Sequence, residues 1–359
     1  MTDRGPSPPP STPATTHRRV VEPVTDIVGA VATSTRAEHT RRLVDAARRG
    51  DEAAFTLLVE SHRTELHHHC YRMLGSVHDA DDVMQESLLR AWRSIGHTDG
   101  ELRVRPWLYK IVTNRCLTEL QLRNGGDQPV DTSPVASQDT DLAWLEPYPH
   151  GHGCSGSSAP ETRVVSHEQL ELAFVVALQH LSALQRAALL LREVLGFSAR
   201  EVAKLLDTTV PAVNSALQRA RSVVSTRVPT RSQHHELAAL GGELRTIAGR
   251  YAAAWEAADV DGLVAMLSND VRLTMPELAH GLAAVRAELE SGPFSHRWRL
   301  LPTRANGQLA FGCYRWNDDS NRFIGEGIDV LTLSHGTIVA IDAFRVTDLT
   351  AFGLPSDPI

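Results

Sequence analysis

The sequence changes character after Pro229. Before that residue the apolar side chains recur every three or four positions, which predicts helices. Further on, they form strand-like runs such as "QLAFGCYRW" and "TIVAIDAFRV". Helices first and a strand meander afterwards predict all-α units followed by an α+β unit. At 359 residues the chain has room for two or three domains.

Composition indicates where these domains begin and end. Residues 1–35 carry Pro-, Ser- and Thr-rich stretches and are predicted to be a disordered tail, whereas the Gly-, Pro-, Ser- and Asp-rich stretch 124–166 is predicted to be a flexible linker. Two helical domains are therefore expected at 36–123 and 167–228. A C-terminal domain is expected at 234–359, with helices ahead of its strands at about 236–257, 259–267 and 281–290.

The charge, the cysteines and the hydropathy pattern exclude several classes of protein. The formal net charge is −7, and the four cysteines show no paired spacing, which argues for a reducing compartment rather than a disulfide scaffold. The longest apolar run near the N-terminus, Ile27–Ala32, is too short to span a bilayer, and no signal-peptide pattern is found. A cytoplasmic protein without a membrane partner is expected.

The segment "ELHHHCYRML" places three histidines and a cysteine side by side. Consecutive side chains of a helix fan outwards, so only His67 and Cys70 could share a metal ion, and two ligands do not close a zinc site. We therefore expect a buried Cys70 with surface histidines, and no metal. The buried stripe of this helix is predicted to be Phe55, Val59, His62, Leu66, Cys70 and Met73.

A second cluster of metal-binding side chains, "HGHGC", comprises His150, His152 and Cys154. It offers only three ligands in a Gly-rich context, and incidental composition is the better interpretation. No metal and no cofactor is predicted for the chain.

Two segments are locally basic although the whole chain is acidic. Leu102–Arg123 holds five Lys or Arg residues against the single acid Glu119, and Thr208–Arg227 holds three arginines and no acid. A solvated helix face is the common interpretation of one such patch, but two on separate segments are typical of a protein that binds a polyanion.

Two separate blocks of sequence resemble one family. "HCYRMLGSVHDADDVMQESLLRAWRSI" and "RPWLYKIVTNRCL" resemble region 2 of the sigma-70 family, in particular its extracytoplasmic-function (ECF) members. "ALQHLSALQRAALLLREVLGFSAREVAKLLDTTVPAVNSALQRAR" resembles region 4. This resemblance implies a transcription initiation factor whose partners are bacterial RNA polymerase core and promoter DNA.

The helix predicted at about 79–95 carries its acidic residues on one face. Asp79, Asp82 and Glu86 lie at i, i+3 and i+7, and spacing alone favours a solvated face. In sigma factors the matching helix docks on the clamp helices of the largest polymerase subunit. The core-polymerase contacts that the resemblance implies are Asp79, Asp82, Gln85 and Glu86.

The next helix, with the loop before it, matches the part of sigma factors that melts and holds the −10 promoter element. Opening a duplex requires cations for the phosphates and a surface for an exposed base. Trp107 and Tyr109 lie in an apolar pattern and are expected to pack in the core. The implied DNA contacts are Arg103, Arg105, Lys110, Asn114 and Arg115.

Residues 198–225 are predicted to form a helix-turn-helix, with Pro211 in the first turn of the second helix, where its missing N–H costs nothing. Its buried stripe runs from Val213 to Val224. The polar residues off that stripe can enter a major groove, and the resemblance assigns them to the −35 element. They are Asn214, Ser215, Gln218, Arg219 and Arg221.

The segment "RYAAAWEAADVDGLVAMLSNDVRLTMPE" and the strand meander after it resemble the SnoaL-like domains of the nuclear transport factor 2-like fold. This resemblance implies a cone of curved sheet and helices around an apolar pocket. The fold class implied for the whole chain is two all-α sigma domains followed by an α+β cone. A cone fused to a sigma factor is implied to tune promoter binding.

Two functions from other classes stay open beside the initiation factor. SnoaL-like domains include polyketide cyclases and ketosteroid isomerases, so a cone that binds a small ligand or catalyses is one alternative, with Asp329 and Asp342 as its carboxylates. A plain helix-turn-helix repressor is the other, and it would have no use for the acidic face at 79–86. We expect an initiation factor that is not an enzyme and has no catalytic residues.

Overall fold

The computed structural model describes residues 37–123, 145–150, 170–229, 231–275 and 277–358. The predicted tail and the residues His152 and Cys154 of the "HGHGC" motif lie outside these ranges. The described residues are grouped below as an N-terminal domain (37–123), a helix-turn-helix domain (170–229) and an α+β domain (231–358).

The N-terminal domain is built from helices whose ends are defined by capping residues. Asp51 begins the second helix by accepting a hydrogen bond from the N–H of Ala54 at 3.0 Å. That helix ends at Gly75, whose φ of 78° is a conformation that glycine adopts without strain. Both ends were predicted and are confirmed. The helices are α1 (37–48), α2 (Glu52–Leu74), α3 (Val77–Ile95) and α4 (Val104–Arg123).

The prediction of surface histidines in α2 is wrong. His67, His68 and His69 are at most 8% exposed, because α3, α4 and the segment 145–150 cover several sides of this helix. Nε2 of His69 lies 2.9 Å from the hydroxyl of Thr113 on α4. Burial, helped by the charge of Arg72, lowers the pKa of His69 to about 3, so its ring is neutral. Cys70 is buried as predicted.

The helix-turn-helix domain begins with α5 (Leu172–Gln179) and α6 (Ala183–Leu189), which continues as a π-helical turn over Leu190–Val194. The predicted motif follows as α7 (Ala199–Leu205) and α8 (Val210–Arg227), with Pro211 in the first turn of α8.

A capping box fixes the start of α7. The hydroxyl of Ser198 accepts from the N–H of Glu201, and the carboxylate of Glu201 accepts from the N–H of Ser198 at 3.0 Å. The second carboxylate oxygen of Glu201 points away from this box, towards the N-terminal domain.

The α+β domain wraps one six-stranded sheet with helices. The strands run in the order β2-β1-β6-β5-β4-β3, with β1 and β6 parallel and the other neighbours antiparallel. One face of the sheet packs on Tyr251 and Trp255 of α10, and the other continues the core of the helical domains. The helices are α9 (Gln233–Leu240), α10 (Glu243–Glu256), α11 (Val260–Val264) and α12 (Leu282–Ser291). The strands are β1 (Leu267–Met275), β2 (Glu277–His280), β3 (Trp298–Ala305), β4 (Gln308–Asn317), β5 (Arg322–Ser334) and β6 (Thr337–Arg345).

Two predictions for this domain are wrong. The helix expected at 236–257 is broken at Gly241, whose φ of 49° interrupts it. The strands β1 and β2 were missed. The apolar–polar alternation of β1 covers only Val271–Met275, and β1 gains its pairing from β6, about 70 residues away in sequence, as in the pair Thr274 and Asp342.

The segment 145–150 packs between the domains. The ring of Tyr148 lies 4.7 Å from that of Tyr71, and its hydroxyl lies 2.8 Å from Nδ1 of His67. The carboxylate of Glu146 accepts from two N–H groups at the start of α3. These six residues fall inside the predicted linker 124–166, and they pack against partners that are distant in sequence and leave no local signal.

Asn306, in the turn between β3 and β4, connects the α+β domain to the rest of the chain. Asn306 and Gly307 have φ values of 54° and 72°, as in a tight hairpin turn. The side-chain oxygen of Asn306 accepts from the N–H of Tyr148 at 2.7 Å. Its amide nitrogen donates to the hydroxyl of Tyr71 and to the carbonyl of Leu170, both at 2.8 Å. The side chain in this one turn therefore forms hydrogen bonds with the N-terminal domain, with the segment 145–150 and with the start of the helix-turn-helix domain.

Candidate functional site

The four predicted polymerase contacts lie together on α3. Asp82, Gln85 and Glu86 are exposed, and Asp79 is half-buried beside Arg123, with which it forms an ion pair. All four line one cavity of about 400 Å³ on the surface of the N-terminal domain. The structure thus places a shallow acidic recess on the outer side of α3.

Arg115, predicted as a −10 contact, lies at the same recess. Its guanidinium is 2.5 Å from a carboxylate oxygen of Glu86 and 3.0 Å from one of Glu119, and its side chain is only 12% exposed. The hydrogen bond from Arg115 lowers the pKa of Glu86 and raises that of Arg115. Arg115 therefore joins α4 to the acidic face of α3. Asn114 beside it is half-buried.

Two other predicted −10 contacts form ion pairs with the helix-turn-helix domain. Nη1 of Arg103 lies 3.0 Å from Oε1 of Glu201. Nζ of Lys110 lies 2.8 Å from Oδ1 of Asp207, at the end of α7. The basic side of α4 therefore faces α7 across the domain boundary.

Arg105 is the third −10 candidate at this boundary. It donates to the carbonyl of Leu195 at 3.1 Å, and its guanidinium lies over the rings of Phe197 and Tyr109, at 4.8 and 5.3 Å from their centroids. Tyr109 is buried and Trp107 packs against the core, so their predicted packing role is confirmed.

The predicted −35 contacts share the outer face of α8. The buried side of this helix is formed by Val213, Ala216, Leu217 and Ala220. One exposed member, Arg221, pairs with Glu193 at 2.7 Å. The five candidates Asn214, Ser215, Gln218, Arg219 and Arg221 are all exposed.

The two carboxylates of the α+β domain are buried. The hydroxyl of Tyr251 donates to Asp329 at 2.9 Å. Burial raises the pKa of Asp329 to about 6, against the opposing hydrogen bonds from Tyr251 and Cys313. Burial also raises the pKa of Asp342, which Arg272 contacts at 3.3 Å. Each carboxyl is thus bonded within the domain.

Within the described residues, no group of three or more His, Cys, Asp or Glu side chains is arranged to hold a metal ion. In the same part of the chain, none of the helices is both long and apolar enough to cross a membrane.

Sequence reasoning missed the residues that face α4 from the helix-turn-helix domain. Glu201 belongs to a recognisable S-x-x-E capping box, but the box says nothing about its second oxygen. Asp207 and Phe197 lie in turns whose tertiary partners leave no periodic signal. The Asn-Gly pair at 306–307 predicts a hairpin turn, and only the fold shows where its side chain points.

Family models match three parts of the chain. The model for Sigma-70 region 2 matches residues 58–124, that for Sigma-70 region 4 matches residues 171–223, and that for the SnoaL-like domain matches residues 248–341. These matches coincide with the acidic and basic helices of the N-terminal domain, the helix-turn-helix and the six-stranded sheet. The family matches and the fold together define a sigma-70-type protein with a fused SnoaL-like domain.

Two relatives narrow this class further. The chain is 38% identical over 333 residues to the ECF RNA polymerase sigma factor SigG of Mycobacterium tuberculosis, covering 89% of this chain and 88% of the relative. It is 30% identical over 187 residues to the RNA polymerase sigma-H factor of Pseudomonas aeruginosa, covering 52% of this chain and 92% of that protein. The chain belongs to the ECF family of RNA polymerase sigma factors.

A solved structure shows the same fold. The crystal structure of the Mycobacterium tuberculosis ECF sigma factor SigJ aligns with a TM-score of 0.54 at 24% identity, over 82% of this chain and 98% of that one. The predicted fold class, two helical sigma domains followed by an α+β cone, is confirmed.

Proposed function

We propose that this chain binds the core of bacterial RNA polymerase and directs it to specific promoters, acting in the cytoplasm and without catalysis of its own. The observation that carries the proposal is the exposed polar face of α8 on a helix-turn-helix, in a chain that also presents an acidic recess on α3. A repressor needs the first surface and has no use for the second.

Each surface has a separate role in this proposal. The acidic recess of α3, with Asp79, Asp82, Gln85 and Glu86, docks on core polymerase through complementary charge. The face of α8 reads the −35 element, since arginine pairs with guanine and Asn or Gln with adenine. The cations of α4 hold the −10 strands by their phosphates once the duplex is open.

We infer that the α+β domain regulates initiation. It contacts both DNA-reading domains through Asn306, and Gln308 accepts from the N–H of Leu172 at 2.8 Å. A contact that differs between two arrangements shifts their populations, so this domain can favour either a closed or a promoter-competent placement. Its two buried carboxyl groups, Asp329 and Asp342, are bonded within the domain. A relative that matches 89% of this chain is named a sigma factor, which supports regulation over catalysis.

Reconstituted transcription tests the proposal. The purified chain is added to core polymerase on a library of promoter fragments, and transcripts that depend on the chain are scored. We expect a small set of promoters to be transcribed from defined start sites. The absence of chain-dependent transcripts with core polymerase that is active with another sigma factor would refute the proposal.

A second comparison tests the regulatory part. A chain ending at about residue 234 should change the transcript yield on a cognate promoter while still binding core and DNA. Identical transcript yields from the full-length and shortened chains across a titration would show that the α+β domain does not regulate initiation.

A further inference from the structure

The side of α4 predicted to meet the −10 element is covered in this structure by the helix-turn-helix domain. Three of its cations, Arg103, Arg105 and Lys110, each contact that domain at 2.8–3.1 Å. These contacts link residues about 90 to 100 positions apart in sequence, and they run from Arg103, just before α4, to Lys110 in the second turn of α4.

The groups that meet these cations have the chemistry of a nucleic acid. Glu201 and Asp207 each present one carboxylate oxygen to a cation, at 3.0 and 2.8 Å, as a backbone phosphate would. Between them, Phe197 lies beneath the guanidinium of Arg105 at 4.8 Å, in the way that an unstacked base is held by arginine.

Phe197 also meets an aromatic ring of the N-terminal domain. Its ring lies 5.5 Å from that of Tyr109, edge to face, and it is only 4% exposed. On the helix-turn-helix side lie Glu201, Phe197 and Asp207. They face Arg103, the pair formed by Arg105 and Tyr109, and Lys110, in that order. Glu65 of the N-terminal domain is also near Arg105, at 3.7 Å, so part of that charge is balanced within the domain itself.

We propose that the helix-turn-helix domain closes the −10-binding face of α4 by imitating DNA, with Glu201 and Asp207 in place of phosphates and Phe197 in place of a base. The −10 strand and the helix-turn-helix domain are then alternative occupants of one surface. The inference rests on the function proposed above, because it assumes that α4 meets DNA.

The strength of the contacts fits a reversible closure. The Asp207 side chain is 70% exposed and that of Arg103 is 72% exposed, and ion pairs at such positions are weak and screened by salt. Separating the two domains also breaks buried contacts, such as the hydrogen bond from the guanidinium of Arg186 to the carbonyl of Met73, so a partner must supply binding energy to uncover α4. The free factor would bind DNA weakly, and the opened factor strongly.

A double substitution removes the imitating charges and leaves the local structure in place. Glu201→Gln keeps the capping box, in which glutamine serves as well as glutamate. Asp207→Asn suits the left-handed backbone at this residue, where φ is 49°. The matched control carries Glu243→Gln and Asp319→Asn, two exposed carboxylates of the α+β domain, and so has the same net charge.

Binding of the full-length variants to a fluorescent oligothymidylate is measured by anisotropy at several salt concentrations, and hydrogen exchange reports on α4. Losing two partly exposed ion pairs should shift the equilibrium towards the open state and tighten binding by about 2- to 30-fold relative to the control. Amides of 103–110 and 195–207 should exchange faster in the absence of DNA.

Equal affinities of the two double variants would overturn the proposal, and so would faster exchange without tighter binding. The function proposed above is judged separately, because wild-type chain-dependent transcription does not depend on these variants. A factor that transcribes promoters but gains no affinity from the double substitution refutes only the imitation of DNA.

Discussion

Replacing Asn306 by glycine should loosen the α+β domain from the helical domains while leaving its own fold intact. Glycine adopts the left-handed φ of 54° at this turn without strain, so the hairpin is kept. The substitution removes three side-chain hydrogen bonds, to Tyr148, Tyr71 and Leu170. The backbone N–H of residue 306 still donates to the carbonyl of Tyr148 at 2.8 Å, so docking is weakened rather than abolished.

The expected magnitude follows from these three bonds. A buried hydrogen bond contributes about 1 kcal/mol net, so their loss should weaken docking by about 3 kcal/mol, or roughly 150-fold in the docking equilibrium. Asn306 is only 1% exposed, and its former partners are left in a buried site. When water does not reach these partners, the loss of docking free energy lies at the upper end of this estimate.

Hydrogen exchange of residues 145–150 and the radius of gyration from X-ray scattering measure the docking. Asn321→Gly is the matched control, because Asn321 has a φ of 49° and is exposed in the turn between β4 and β5. We expect faster exchange at 145–150 and a larger radius for Asn306→Gly only. Indistinguishable behaviour of the two variants would refute the role of Asn306 as the connection between the domains.

Three further predictions concern the other sites. Asp82→Arg should weaken binding to core polymerase in a pull-down at moderate salt, because it places a cation in the acidic recess. Gln218→Ala and Arg221→Ala should each cost about 1–3 kcal/mol of discrimination between a matched and a scrambled −35 element, measured by anisotropy. Asp329→Asn should flatten the pH dependence of urea unfolding. The pKa of Asp329 is raised from 3.8 to about 6 in the folded state, so the contribution of this group to stability is fully present below pH 4 and is lost as the pH rises through 6, by about 3 kcal/mol.

Each of these has a result that would count against it. Unchanged core affinity of the Asp82 variant would remove α3 from the polymerase interface. Equal losses on matched and scrambled DNA would make Gln218 and Arg221 phosphate contacts. A wild-type stability that does not fall between pH 4 and 7 relative to Asp329→Asn would show that this carboxyl titrates normally.

The sequence by itself determined the elements whose signals are local. Caps such as Asp51 and Gly75 set the ends of α2, and the position of Pro211 together with the apolar stripe predicted the helix-turn-helix. These signals depend on neighbours within one or two helical turns. They are therefore independent of the tertiary contacts made by the rest of the chain. The same is true of β3 to β6, which pair as successive hairpins.

Only the tertiary structure decided how polar faces are used. The period of a helix shows which side is apolar, but it does not show what covers the polar side. His69 was expected at the surface, yet it is buried against Thr113. Arg103 stays exposed, but it pairs with Glu201 of another domain. Asn306 and Tyr71 are 235 residues apart, and their hydrogen bond exists only because the α+β domain packs on the N-terminal domain. Contacts of that kind depend on the shape of whole domains, which local sequence patterns do not encode.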